Sequence, residues 1–211
     1  MHGDIKRKPI LFNTAMVQAI LDGRKTVTRR AIKPQPTTVH GGKKGCVPLA
    51  FYFDCNRWVK PPYQVGDVLW VRETWWDQTD RDEYGCDTVV GYTYKADFSE
   101  EFVKEHRWRP SIHMPKEAAR IFLKVTDVRV ERLQDITNDQ ADKEGFKSVP
   151  CANCHGLGCS DCAGSGMQEP GLVDFMYMWD STIKKKDLDQ FGWDANPFAW
   201  VIEFERCENA V

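Results

Sequence analysis

No stretch of the 211-residue sequence approaches the roughly 18 apolar residues of a membrane-spanning helix, and no apolar run follows the polar start Met1-His-Gly-Asp-Ile-Lys-Arg-Lys8. The expectation is a soluble, cytoplasmic protein in a reducing compartment. A phosphate-cradling P-loop and a G-x-S-x-G nucleophile turn are both missing, since Gly41-Gly-Lys-Lys-Gly45 lacks the Walker spacing. Net charge is small as well: 29 basic against 31 acidic side chains give −2, so the bulk field singles out no polyanionic ligand. What the chain does have is 42% hydrophobic residues and 8 tryptophans, enough to bury a core and to exclude global disorder. The length predicts one domain, residues 1–211, carrying insertions.

Acids are missing locally too. None occurs between Asp22 and Asp54, where Arg24, Lys25, Arg29, Arg30, Lys33, Lys43 and Lys44 stand. The reverse holds from Asp77 to Glu105, where nine acids face three bases. The first run is either a polyanion-binding surface or a solvated basic face, depending on whether it borders a cleft.

Four of the eight cysteines fall in one tandem octad, Cys151-Ala-Asn-Cys154-His-Gly-Leu-Gly and Cys159-Ser-Asp-Cys162-Ala-Gly-Ser-Gly. Each C-x-x-C knuckle turns backbone amides toward its sulfurs, and the glycines supply the positive φ such knuckles need. Four thiolates at Cys151, Cys154, Cys159 and Cys162 complete a tetrahedral Zn²⁺ shell with no open position, which points to structural zinc over catalytic zinc, an iron–sulfur centre or redox thiols. The octads resemble the cysteine-rich repeats of DnaJ-type chaperones, but without a spacer between them, which favours a small zinc hairpin. Cys46, Cys55, Cys86 and Cys207 are scattered and read as buried small hydrophobes.

Punctuation and periodicity supply the organisation. Asn13 is a fitting N-cap for a helix with Met16, Val17, Ile20 and Leu21 on one face, and Gly23 ends it. Lys25–Arg29 reads as a short strand, 34–65 as a long ordered loop, and Val68–Trp75 as a strand with Leu69, Val71, Glu73 and Trp75 on one face. Further strands are expected at 88–95, 120–132 and 198–206, the last alternating Trp200, Ile202 and Phe204. Helices are expected after Thr137 and across 172–183, with the octads, 147–170, inserted between them. Strands without β-α-β alternation define an α+β fold with a curled sheet or small barrel.

Four blocks, Ala19-Ile-Leu-Asp-Gly-Arg-Lys-Thr-Val-Thr-Arg29, Gly66-Asp-Val-Leu-Trp-Val-Arg-Glu-Thr74, Phe122-Leu-Lys-Val-Thr126 and Ala199-Trp-Val-Ile-Glu-Phe204, come in the order of the ASCH domain family, relatives of the PUA fold, and the chain resembles that family. The octads and the 34–62 loop lie outside its core, and a large form with such insertions resembles members found in phages and prophages. The resemblance implies a PUA-like mixed β-barrel whose cleft takes RNA or a nucleoside. In small bacterial members it implies an amidohydrolase that removes the acetyl group of N4-acetylcytidine. Matched by position, the family's functional Lys and Thr fall on Lys25 and Thr28, and its Glu, on shorter local similarity, on Glu144.

The same residues can be weighed physically. Arg24, Arg29 and Arg30 crowd Lys25 with like charge and favour its neutral form, so it takes a proton from Thr28 or water while Glu144 serves the leaving amine; the alternative is a lysine contacting phosphate beside three arginines. In a regular strand Lys25 and Thr28 point to opposite faces, so cooperation requires Lys25 in the turn after Gly23. Glu73 on an inward face needs either a basic-strand arginine as partner or a raised pKa, and Trp75, with Trp70 and Trp76, either stacks a base or fills the core. His113, between Pro110 and Pro115, reads as a rigid loop element with at most a substrate contact. The functional expectations are thus an RNA- or nucleoside-binding protein contacted through Arg24, Arg29, Arg30, Glu73 and Trp75, an amidohydrolase using Lys25, Thr28 and Glu144, or a non-catalytic accessory interaction protein of phage biology.

Overall fold

A computed structural model of the chain describes residues 7–40, 49–52, 57–81, 84–147, 149–155, 157–160, 164, 167–169 and 171–208. In chain order these form β1 (Arg7–Leu11), α1 (Thr14–Leu21), β2 (Val27–Ala31), β3 (Thr38–His40), β4 (Leu49–Tyr52), β5 (Arg57–Val59), β6 (Val68–Arg72), β7 (Trp75–Arg81) and β8 (Asp87–Tyr94). There follow α2 (Glu100–Glu105), β9 (Phe122–Arg132), α3 (Asn138–Lys143), β10 (Val149–Pro150), β11 (Met167–Glu169), α4 (Gly171–Thr182), α5 (Leu188–Phe191) and β12 (Phe198–Cys207). The class is α+β, with mixed sheets and short helices. No helix of the described residues is long and apolar enough to cross a membrane.

Two compact units divide the chain. The first takes Met1–Asp22, Gly66–Lys124 and Glu205–Val211, and the second Gly23–Val65 and Val125–Phe204. Both expected insertions, 34–65 and 147–170, fall in the second.

In the first unit β1 runs parallel to β6, Arg7 opposite Val68, and β6 runs antiparallel to the start of β9, Leu69 opposite Leu123. The predicted alternation holds: Leu69, Val71, Glu73 and Trp75 are all buried, although the strand breaks at 73–74 before β7 begins. β7 and β8 form a separate antiparallel ribbon, its register shifting between Gln78 and Thr79. The bulge faces Gly91, where a Cβ would stand 2.8 Å from Gln78 Oε1. α1 starts as its sequence dictates, with Asn13 Oδ1 accepting from the Met16 amide at 2.8 Å. Asn13→Ala leaves that amide without its cap and is expected to lower stability by about 1 kcal/mol, read from the urea midpoint at unchanged m.

In the second unit β2 runs antiparallel to β12, Val27 opposite Glu203 and Ala31 opposite Ala199, with β9 on the far side of β12. The expected alternation holds, with Trp200, Ile202 and Phe204 all buried, and Ala199 and Val201 add a second buried face in the first half of β12, whereas Glu205 and Arg206 are exposed. Leu133, Ile136, Ala141, Phe175, Trp179 and Ala199 make one core cluster, and Trp179 Nε1 donates to Phe191 O at 2.8 Å. The polar 34–65 segment is not a bare loop: β3, β4 and β5 pair in it as a three-stranded antiparallel sheet. Among the described residues neither unit's ladder closes into a barrel, so the expected small barrel gives way to open sheets.

Candidate functional site

The β2 strand starts two residues later than expected, and this sets the site. Arg24, Lys25 and Thr26 precede it and are tied to the C-terminal end of α3. Arg24 Nη1 donates to Gly145 O at 2.6 Å, Lys25 Nζ to Glu144 O at 2.9 Å and the Thr26 amide to Lys143 O at 2.8 Å. α3 is itself fixed by a capping box between Thr137 and Gln140. Lys25 therefore lies in the turn before the strand.

Within this clamp, Lys25 Nζ also donates to Glu144 Oε2 at 2.7 Å and to Val27 O at 2.8 Å. Arg29 reaches the same carboxylate, Nη1 to Glu144 Oε1 at 3.2 Å, while Nη2 contacts Glu131 Oε2 at 3.1 Å and Gln140 Oε1 at 3.0 Å. The side chains of Lys25, Arg29 and Glu144 are 0%, 1% and 2% exposed. Arg29 Nε is buried with no partner. Burial pulls the Lys25 ammonium below its ordinary range and Arg30 and Arg29 add to the pull, whereas Glu144 opposes it.

The structure thus brings together two of the three expected catalytic residues, 119 positions apart. Thr28 is buried in β2 opposite Ile202 and makes no hydrogen bond to Lys25 or Glu144. Of the expected phosphate contacts, Lys25 and Arg29 are sealed inside the clamp and reach no ligand as they stand. Arg24 and Arg30 are half-buried.

Glu73 and Trp75 are corrected by the first unit. Glu73 is paired, but with Arg120 and not with a basic-strand arginine: Arg120 Nε and Nη2 hold Oε1 and Oε2 at 2.9 and 3.0 Å, and the same guanidinium holds Asp97 at 2.7 Å. Burial pushes the Glu73 carboxyl up against the pull of Arg120. Trp75, 4% exposed, packs with Met114 and Ala118 in a small core, so it is no free stacking surface.

Its neighbour Trp76 is exposed. Trp76, Asp77, Arg107, Trp108, Arg109 and His113 line a cavity of about 580 Å³ within the first unit. Composition pointed away from this place, because its residues flank the acidic run, Trp76 and Asp77 at its start and Arg107-Trp108-Arg109 just past its end, yet that last triplet was the signal.

In the second unit the described octad cysteines converge. The ligand atoms of Cys151, Cys154 and Cys159 lie within 4.8 Å of one another, close enough to hold a metal ion, and β10 and β11 pair across the ends of the segment. The Gly158 amide donates to Cys154 Sγ at 3.1 Å, and Gly158 and Gly164 take φ of +89° and +79°. His155 is also left-handed at φ 48°. Cys162, Cys46 and Cys55 lie outside the described residues. Cys86 is exposed and Cys207 half-buried, which corrects their reading as buried hydrophobes.

Comparison of the chain with protein-family models, with curated proteins and with solved structures gave no match.

Proposed function

We propose that this chain is an ASCH-type protein, with open sheets of PUA-like descent, that binds a nucleoside or RNA and hydrolyses the acylated exocyclic amide of a cytosine. One observation carries the reading: Lys25 and Glu144, matched by family resemblance alone, sit 2.7 Å apart. Arg24 and Arg30, the half-buried cations of the basic run, are the groups that meet the ligand's phosphate or ribose. Passing a proton to Glu144 as substrate enters leaves Lys25 a neutral amine, the form that its burial favours. The amine then accepts a proton from the attacking water, or from the Thr28 hydroxyl as its oxygen attacks, in which case cytidine leaves first and a water then cleaves the acetyl-Thr28 ester to acetate. Glu144 delivers its proton to the departing N4 as the C–N bond breaks, giving acetate and cytidine. The hydrogen bonds of Nζ to Val27 O, Glu144 O and Glu144 Oε2 must loosen as substrate enters.

Incubation with N4-acetylcytidine is expected to release cytidine, and Lys25→Met and Thr28→Val are each expected to slow release by about 100-fold or more. No release by wild type, or release untouched in a folded Lys25→Met chain, sinks the hydrolase. A second reading has its own support: with Lys25 and Arg29 sealed and hydrogen-bonded to Glu144, the cluster is a structural clamp in a non-catalytic binding or accessory protein of phage type. Binding of a single-stranded RNA without any hydrolysis selects that reading.

We also propose that the cysteine hairpin holds structural zinc, with Cys162 as fourth ligand. Tetrahedral Zn–S bonds of about 2.3 Å place sulfurs about 3.8 Å apart. Cys151 and Cys159 Sγ stand at 3.8 Å. The metal would fix the two knuckles, and no catalytic step passes through it.

A further inference from the structure

The cavity of the first unit has no part in the Lys25–Glu144 chemistry, and its lining has a chemistry of its own. Its two tryptophans are held by a run of rings. Trp76 lies 5.6 Å from the His106 ring, His106 is stacked on Phe102 at 3.9 Å, Phe102 on Phe98 at 4.3 Å, and Phe98 is tilted against Trp108 at 6.0 Å. Trp108 Nε1 donates to Val103 O at 3.1 Å, and His106 Nδ1 is 2.9 Å from Phe102 O. α2 contributes Phe102 to the middle of this run, between Phe98 and His106 on either side of the helix in the chain. Trp76 nevertheless remains 38% exposed where it lines the cavity, with the His106 ring beside its indole. A stacking partner that meets such a face finds a surface with little conformational entropy left to lose.

Beside the indoles stand two guanidinium groups. Arg109 is positioned: its backbone pairs with Trp75, its side chain holds Asp77 at 2.8 Å, and its Cζ lies 5.3 Å from the Trp75 ring centroid. Arg107 is exposed and makes no ion pair among the described residues, and His113 completes the rim. A flat hydrophobic face flanked by an unpaired cation fits a planar aromatic group that carries an anion. At about 580 Å³ the cavity is of small-ligand size. Glu100, Glu101 and Glu105 of α2, two to seven residues before Arg107 in the chain, are exposed and disfavour a long polyanion such as a duplex.

We propose that this cavity is a nucleotide-binding site, in which a nucleobase stacks on Trp76 and its phosphate is held by Arg107, with Arg109 and His113 as supporting donors. The nucleotide comes either free or as part of an unpaired strand. The proposal does not depend on hydrolysis at Lys25, and a chain that releases no cytidine leaves it standing.

The probes are AMP, adenosine, inorganic phosphate and a single-stranded eight-residue oligoadenylate, each titrated by calorimetry, with ¹⁵N-indole NMR to locate the site. AMP or the oligoadenylate is expected to bind saturably at one site per chain, and adenosine and phosphate alone at least about tenfold more weakly. The Trp76 and Trp108 indole signals, assigned through Trp76→Phe and Trp108→Phe, are expected to shift, while that of core Trp179 stays fixed. Trp76→Ala and Arg107→Ala, both at exposed positions, are each expected to weaken binding about tenfold, and Trp76→Phe to retain most of it. Binding of AMP assigns a free nucleotide, and binding of the oligoadenylate alone assigns a strand. No saturable binding of either, or binding that leaves both indole signals and both alanine variants unaffected, overturns the proposal.

Discussion

Glu144→Ala is expected to lower the unfolding free energy by about 3–5 kcal/mol, a large part of the roughly 5–15 kcal/mol that holds a domain together. The carboxylate accepts from Lys25 and Arg29 where neither cation has access to water. Removing it leaves two buried positive charges: Lys25 keeps the carbonyls of Val27 and Glu144, and Arg29 keeps Glu131 and Gln140, with no carboxylate left between the two cations. Glu144→Gln keeps the shape but not the charge and is expected to lose nearly as much. Lys25→Met is expected to cost far less, because a similar volume is filled without a charge to desolvate and Glu144 keeps Arg29 as its counter-ion. Urea titrations of the three variants decide this. A loss below about 1 kcal/mol for Glu144→Ala would show that water reaches the cluster.

The same lysine gives a pH signature. Its folded pKa lies below the ordinary lysine value of 10.5, so between the two the unfolded chain holds a proton that the folded chain has released. Stability contributed by Lys25 therefore rises as pH climbs through that alkaline window and levels off above it. The difference between wild type and Lys25→Met is expected to move in favour of wild type on approaching pH 10.5, with the other alkaline titrations cancelling in the comparison.

Metal removal is the second large effect. Elemental analysis is expected to return one zinc per chain, and a chelator or Cys151→Ser to abolish it. Structural zinc in small knuckles contributes about 10–16 kcal/mol of apparent binding free energy at neutral pH, far more than the short β10–β11 ribbon supplies. Its loss is expected to unfold 149–169 locally, seen as lost amide protection there. The Leu133–Phe175–Trp179 cluster has its own apolar packing and is expected to stay protected. Metal-free protein with undiminished protection across the hairpin would remove the zinc assignment.

How much of this was legible in the residues varies by element for physical reasons. Asn13 and Thr137 announce their helices because a cap is a local device, readable from three or four residues. The β2 boundary was misplaced because β-branched Thr26 and Val27 look alike to a propensity scale. What separates them is the Thr26 amide bonding to Lys143, a contact from far along the chain. β3, β4 and β5 were hidden since three or four residues are too few to show a period. The inward face of Glu73 followed from alternation, whereas Arg120, 47 residues on, carried no local mark. Trp75 and Trp76 are adjacent, and only the strand's facing decides that the first is core and the second available to a ligand.

Gly158 has a consequence for how the hairpin tolerates change. A Cβ there would stand 2.8 Å from the carbonyl oxygen of Gly164, so the last residue of one octad rests directly on the backbone of the other. Ala152 is exposed, and its identity is open to drift. Length is not: a residue gained or lost between the two knuckles lifts one turn off the other, so indels in this segment are expected to be far rarer than point changes.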